Sequence, residues 1–309
     1  LLVEMPVEMR FLVLVFLALS ASAQVRLYVA DSGENRISII DAQARKVTGE
    51  IRVSPNPEAM AASPDGLRLY VISGTRNALD VLDVRTSRVV RNVAVGPLPA
   101  GIAVSSDGRR AFICIGGEGI DVIDTASFAK VKHVPAGRTM RNIYLTPDQT
   151  RMIATSAADK KLVVINVRKE QVEFEIPLSG APGEVAIESD RNLVIERLFV
   201  QIAGGFEVID YKARKTSGKV ALPGGSQGRG FVVSPDHKSL WASGVIFSLS
   251  DLKHVGSYSG GPVAFAPEGR RAFVSDPDED SVSVIDASSY KELARIPVGK
   301  KPGTIVASN

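Results

Sequence analysis

The chain holds one cysteine and three histidines in 309 residues, and both scarcities exclude chemistry. A single thiol, Cys114, cannot close an internal disulfide, so packing alone must hold the fold. It sits in the apolar run AFICIG and reads as a buried, inert side chain. His133, His237 and His254 have no partner at ligand spacing, which argues against zinc or a histidine-based triad. Apolar runs long enough to span a bilayer are lacking too. The stretch FLVLVFLAL (11–19) falls short of the about 20 apolar residues a span needs. Arg10 precedes it and SASAQ follows, with small residues at Ala21 and Ala23. That order reads as a secretory signal, residues 1–23, cleaved after Ala23, with translation expected to begin at Met5 or Met9. Charge of one sign is scarce as well. Lys and Arg number 37 against 34 Asp and Glu, a formal +3. Cleavage removes Glu4, Glu8 and Arg10, two acids and one base, which makes the mature chain +4. So mild a charge gives little support for nucleic acid or a membrane surface as partner.

What is present is repetition. The composition, 45% hydrophobic and 23% charged, is that of a globular protein with a sizeable core. One phrase recurs as ISIIDAQAR, LDVLDVRTS, IDVIDTASF, LVVINVRKE, FEVIDYKAR and SVSVIDASSY. Its closing residues are Asp41, Asp83, Asp124, Asn166, Asp210 and Asp286, spaced by 42, 41, 42, 44 and 76. The last interval holds two units, one of them (ASGVIFSLSDLKHV) shortened. A period near 42 without helical patterning predicts four short strands per unit in a toroidal array. The third unit shows them as GIAVSSDG, RAFICIG, GIDVID and AKVKHVP, strands A to D. Turns of the SPDG type join A to B, where Pro presets φ and Asp bonds the backbone two residues on. The aspartate ending strand C does similar work at the C–D turn rather than forming a catalytic or metal-binding ring. One position of strand B holds Tyr28, Tyr70, Phe112, Ile153, Phe199, Trp241 and Phe273, which predicts an aromatic wedged against the neighbouring sheet in each unit.

Strand A is expected to begin near Pro57, Pro99, Met140, Pro182, Gly228, Gly260 and Pro302. The mature chain opens on a B strand, RLYVA, and closes on an A strand, PGTIVAS, so the missing A–B turn lies where the termini meet. The prediction is an all-β fold: a seven-bladed β-propeller of four-stranded antiparallel blades, one domain over 24–309. Pairing of the C-terminal strand (302–308) with the N-terminal strands (26–53) closes it and removes the open edges.

The phrases SPDG, LYVA, LYVI, AFVS, SVSVID and IPVG resemble those of the YVTN-repeat β-propeller family, over roughly residues 25–309. The departures are the shortened sixth blade and about four residues inserted in ESDRNLVIERLFVQ (188–201). The resemblance implies an exported seven-bladed propeller. It implies a binding or scaffold role in most members, with lactonases and redox-enzyme subunits among related families.

Candidate sites follow from the meander. B–C turns and D-to-A links share one end, and the links are Gly- and Pro-rich, which lets backbone amides approach a ligand. Aligned at the entrance to strand A are Glu58, Ala100, Arg141, Gly183, Arg229, Gly261 and Gly303, then Ala59, Gly101, Asn142, Glu184, Gly230, Pro262 and Thr304. Arg141 and Arg229, with Asn142, are expected to hold a carboxylate or other anion, because the guanidinium fork suits it. The alternative is a solvated, mutually neutralising rim. Glu58 and Glu184 are the sole catalytic candidates, for a lactonase-like hydrolase at the same mouth. At the other end Arg26, Arg68, Arg110, Arg151, Arg197 and Arg271 precede strand B, a weak polyanion face that acids in the adjoining turns offset. Asp276, Asp278 and Asp280 in DPDED offer a weak calcium loop, but Ser281 and Ala287 stand where an EF-hand needs Gly and Glu. GGSQG (224–228) matches G-x-S-x-G around Ser226 in a strand-to-strand setting, not the strand-turn-helix such an elbow requires. The expectation is therefore a periplasmic or secreted, non-catalytic binding scaffold without cofactor. Its expected partner is a small molecule or protein at the propeller face, with no nucleic acid, no membrane span after cleavage and a monomeric state. Lactone hydrolysis and docking to a periplasmic redox enzyme are the alternatives.

Overall fold

The computed structural model describes residues 25–223, 229–259 and 261–308. The signal at 1–23 and the GGSQG stretch lie outside the described residues. Seven four-stranded antiparallel sheets form a ring. Blade 1 is built from both ends of the chain. Its innermost strand, A, is Pro302–Ser308, followed outward by B (Arg26–Asp31), C (Arg36–Asp41) and D (Lys46–Arg52). Arg26 pairs with Ser308 and Tyr28 with Val306, so the expected closure is present. Blades 2 to 7 follow in chain order with A innermost, and a 3-10 turn at Gly74–Arg76 is the sole helical element of the described residues with a full turn. Strand A begins at Pro57, Pro99 and Met140 in blades 2 to 4, as expected. In blades 5 to 7 it begins at Val185, Phe231 and Val263, three residues after the expected Pro182, Gly228 and Gly260, the last two of which lie outside the described residues. The sixth blade is short throughout, with strands of three or four residues.

The strand-B aromatics explain why the sheets stack. Tyr28, Tyr70, Phe112, Phe199, Trp241 and Phe273 are at most 1% exposed, as is Ile153 in blade 4. Each belongs to a hydrophobic cluster shared with the next blade: Phe112 with Met140, Ile143 and Met152, and Phe273 with Leu27 and Ile40 across the chain closure. In blade 6, Trp241 packs edge-on against Phe265 of blade 7 with ring centroids 5.5 Å apart. A sheet with one layer of side chains on each face cannot exclude water alone, and these seven contacts supply the second layer.

Turn chemistry follows the repeat. Asp41 Oδ1 accepts the N–H groups of Gln43 and Ala44, and Asp286 those of Ser288 and Ser289. Asn166 does the same for Lys169, so an amide oxygen serves where the repeat lacks its acid. A second class of carboxylate lies within strand C itself. Asp80, Asp121 and Glu207 are at most 2% exposed. Asp80 accepts bonds from the Ser54 N–H and hydroxyl and from Asn92, Asp121 from the Gly96 N–H, and Glu207 from the Ser179 N–H and hydroxyl. Each thereby anchors the link that enters its own blade. Burial works against ionised Glu207, yet the Ser179 and Thr216 hydroxyls outweigh it and hold the acid below its usual range.

Candidate functional site

All seven inner strands are edge strands of their sheets, so unpaired backbone polar groups line the hub between them. The hub encloses a cavity of about 750 Å³. It is lined at the loop-bearing end by Glu58, Arg141, Asn142, Glu184, Arg229 and Thr304, so the structure brings every residue of the proposed mouth to one place. Arg141 and Arg229 are exposed, and Glu58, Asn142 and Glu184 are half-buried. Among the described residues neither arginine forms an ion pair or side-chain hydrogen bond, with either glutamate or with anything else. Both glutamates, by contrast, are engaged. Glu184 Oε2 accepts the Gly230 N–H at 2.9 Å, and Glu58 Oε1 accepts the Asn56 side-chain amide at 2.6 Å. Burial raises the Glu184 carboxyl above its ordinary range, opposed by the Gly230 N–H and the charge of Arg229.

The mouth has two unlike halves. In blades 1, 2 and 7 the B–C turn ends on a residue in the left-handed region whose side chain caps the next link. Asn35 accepts the Asn56 N–H, Asn77 the Leu98 N–H and Asp280 the Lys301 N–H. Asn56, Leu98 and Lys301 are themselves left-handed, so these three links share one short, rigid form. Among the described residues blades 4 to 6 lack this handshake, and there the inner strands are tied by side chains. The Asn142 amide donates to Gly183 O at 3.0 Å, while its own N–H donates to Thr155 Oγ1. Gln201 Oε1 accepts the Glu184 N–H, Tyr144 Oη accepts the Val185 N–H, and the Tyr258 hydroxyl donates to Gly230 O. Burial drives the Tyr144 and Tyr258 hydroxyls well above their ordinary range, so both act as neutral groups here.

Sequence reasoning missed Tyr144 and Gln201, although both line the cavity and both left a signal. Two residues beyond the aromatic of strand B stand Ala30, Ile72 and Cys114 in blades 1 to 3, then Thr155, Gln201, Ser243 and Ser275. The change from apolar to polar marks the half that carries Arg141, Glu184 and Arg229. Tyr144 is likewise the one aromatic at an inner-strand position otherwise held by Ala61, Ala103, Ala186, Val232, Ala264 and Val306.

At the opposite face five of the six strand-B arginines are already held. Arg68, Arg197 and Arg271 donate to Thr125 O, Leu249 O and Ala42 O, each in the C–D turn of the next blade. Arg110 pairs with Asp124 and Glu170, and Arg151 with Glu173. The acids of the A–B turns mostly bond their own turns, as Asp65 does with Ser63 and Leu67. The acids that offset these arginines come mainly from their own blades, Asp124, Glu173, Glu188 and Glu268, with Glu170 from the next one, and among the described residues neither Arg26 nor Arg68 forms an ion pair. Asp276 accepts the N–H groups of Asp278 and Glu279 and Asp280 caps Lys301, so two of the three aspartates of DPDED serve the turn and the neighbouring link. Among the described residues no group of three or more His, Cys, Asp or Glu is placed to hold a metal. His133 bonds Asp121 at 2.8 Å on strand D, and none of the three histidines is on the hub lining.

No protein-family model matches the chain, and no curated protein does. Among the described residues no helix is long and apolar enough to cross a membrane. Solved structures share the fold. A functionally unknown protein from Desulfotomaculum acetoxidans superposes with a TM-score of 0.77 at 13% identity, over 92% of this chain and 99% of that one. The periplasmic gluconolactonase of Pseudomonas aeruginosa gives 0.72 at 18% identity, over 93% and 99%. A dihydro-heme d1 dehydrogenase gives 0.67 at 20% identity, over 91% and 74%. At these identities the likeness is one of architecture: the chain is a seven-bladed β-propeller.

Proposed function

We propose that this protein is an exported, YVTN-type propeller that binds a small anionic ligand at the loop-bearing mouth of its hub without transforming it. The observation that carries this reading is the pair Arg141 and Arg229: two exposed guanidinium groups with no ion-pair partner among the described residues, on the lining of a 750 Å³ cavity. Cavities of roughly 300–1,000 Å³ suit small-molecule ligands, and an unpaired arginine offers a planar, bidentate fork for a carboxylate. The inner-strand edges add N–H and C=O groups for polar parts of the ligand.

Lactone hydrolysis is the second reading, supported by Glu58 and Glu184 on the same lining and by the fold shared with a gluconolactonase. Against it, each glutamate already accepts a hydrogen bond from the scaffold. A thermal-shift panel of organic acids, sugars, lactones, quinone cofactors, divalent metals and oligonucleotides separates the readings. A ligand at 100 times its dissociation constant adds about 2.7 kcal/mol, a readable shift. Organic acids are expected to shift the wild type and to leave the Arg141→Ala/Arg229→Ala variant unmoved. Turnover of a lactone that Glu58→Gln or Glu184→Gln abolishes would replace binding by catalysis.

A further inference from the structure

Beside the hub lies a second compartment of about 310 Å³, between blades 2, 3 and 4 on the same face. It shares Glu58, Ala100 and Arg141 with the main cavity and adds Gly74, Leu98, Pro99, Gly116, Thr139 and Met140 to its walls. We infer that this annex is a site for a small zwitterion: an ammonium group on Glu58, a carboxylate on Arg141, and a short apolar body between them on Leu98 and Pro99. The inference rests on the anion-binding reading for Arg141 and adds a second charge and a shape to it.

Three observations converge. First, groups of opposite charge line one small compartment, yet they form no ion pair with each other. Among the described residues the Glu58 carboxylate is bonded only through Oε1, by the neutral Asn56 amide, so its charge is not neutralised there. Second, the backbone makes room for that carboxylate. A Cβ on Gly74 would lie 2.7 and 2.8 Å from the two Glu58 oxygens, so a larger residue would displace it. Third, the apolar floor is held open. Leu98 is 66% exposed and left-handed at φ 52°, where a leucine is strained. The Asn77 side chain fixes its N–H and the Gly116 N–H fixes its carbonyl, at 3.0 and 2.8 Å. Gly116 also permits the approach, since a Cβ there would fall 2.8 Å from Leu98 Cβ. An exposed leucine on the same small lining as two opposite, unjoined charges matches a ligand with an apolar body and two ionic ends. An α-amino acid, a dipeptide and an ω-amino acid all carry that chemistry and differ in the span between charges.

Calorimetric titration of the protein with leucine, Leu-Leu and 6-aminohexanoate decides among the spans. Each is paired with its carboxamide and with the acid lacking the amine. At least one zwitterion is expected to bind tenfold or more tightly than both of its singly charged counterparts. Glu58→Gln is expected to erase the preference over the amine-free acid, and Arg141→Gln the preference over the amide. Gly74→Ala, which leaves both charges in place, is expected to weaken the amine-dependent part alone. If the amine-free acids bind as tightly as the zwitterions, the annex inference fails while anion binding stands. If the amides bind as tightly as the free acids, or if no acid binds, both fail.

Discussion

The buried aromatic of strand B is the side chain on which the packing of each blade most depends. Phe112 is 0% exposed and fills the space between blades 3 and 4, so no neighbour can relax into its place. Phe112→Ala is expected to cost about 3–5 kcal/mol, and Phe112→Leu distinctly less, read from denaturant midpoints. Ile153 holds the equivalent place in blade 4 without an aromatic ring, which shows that volume and apolarity are the requirement there. Glu184 behaves differently because its carboxyl is raised by burial. Its unfolded value lies near 4.3, so the folded chain holds the proton more readily. The associated stability is fully present below the unfolded value and is lost as pH rises through the folded one. Glu184→Gln removes that loss and keeps an oxygen for the Gly230 N–H. The variant is therefore expected to melt higher than wild type at about pH 7, with the gap closing below about pH 4. An equal gap at both values would contradict the burial argument.

At the scale of the element, the repeat was legible because turn chemistry and strand alternation recur in register. The six C-strand phrases, the SPDG-type turns and the strand-B aromatics fixed blade number, strand order and closure from sequence alone. The link-anchoring acids were visible in the same phrases, as LDVLD, IDVID and FEVID, but an acid within an apolar strand does not reveal its donors. Asp80 takes three, from Ser54 and Asn92. Asp80→Ala leaves them unpaired at the start of the link and is expected to cost about 1–3 kcal/mol. Asp83→Asn, three residues further on at the end of the strand, is expected to be nearly silent, as Asn166 already shows in blade 4. Deleting residues 302–308 removes strand A of blade 1 and uncovers the inner edge of Arg26–Asp31. Loss of a single cooperative calorimetric transition is expected, and a truncated chain that melts like the whole one would deny that closure holds the ring.

For the whole molecule, closure places Glu58, Arg141, Glu184 and Arg229 around one axis although they span 171 positions of sequence. The alignment of inner-strand entrances foretold that much. It could not foretell that the arginines stay unpaired among the described residues, or that the inner strands of blades 5 to 7 begin three residues late. Nor could it foretell that Leu98 faces solvent, because these are properties of loop geometry rather than of strand periodicity. The opposite face shows the contrast, since four of its six strand-B arginines bond the next blade. The most direct measurement is a crystal structure of the protein bound to the organic acid that shifts its melting most. The account predicts density in the hub, with the acid group against the guanidinium of Arg141 or Arg229. An acid seated on the strand-B arginines, or a hub left to solvent at saturating ligand, would contradict it.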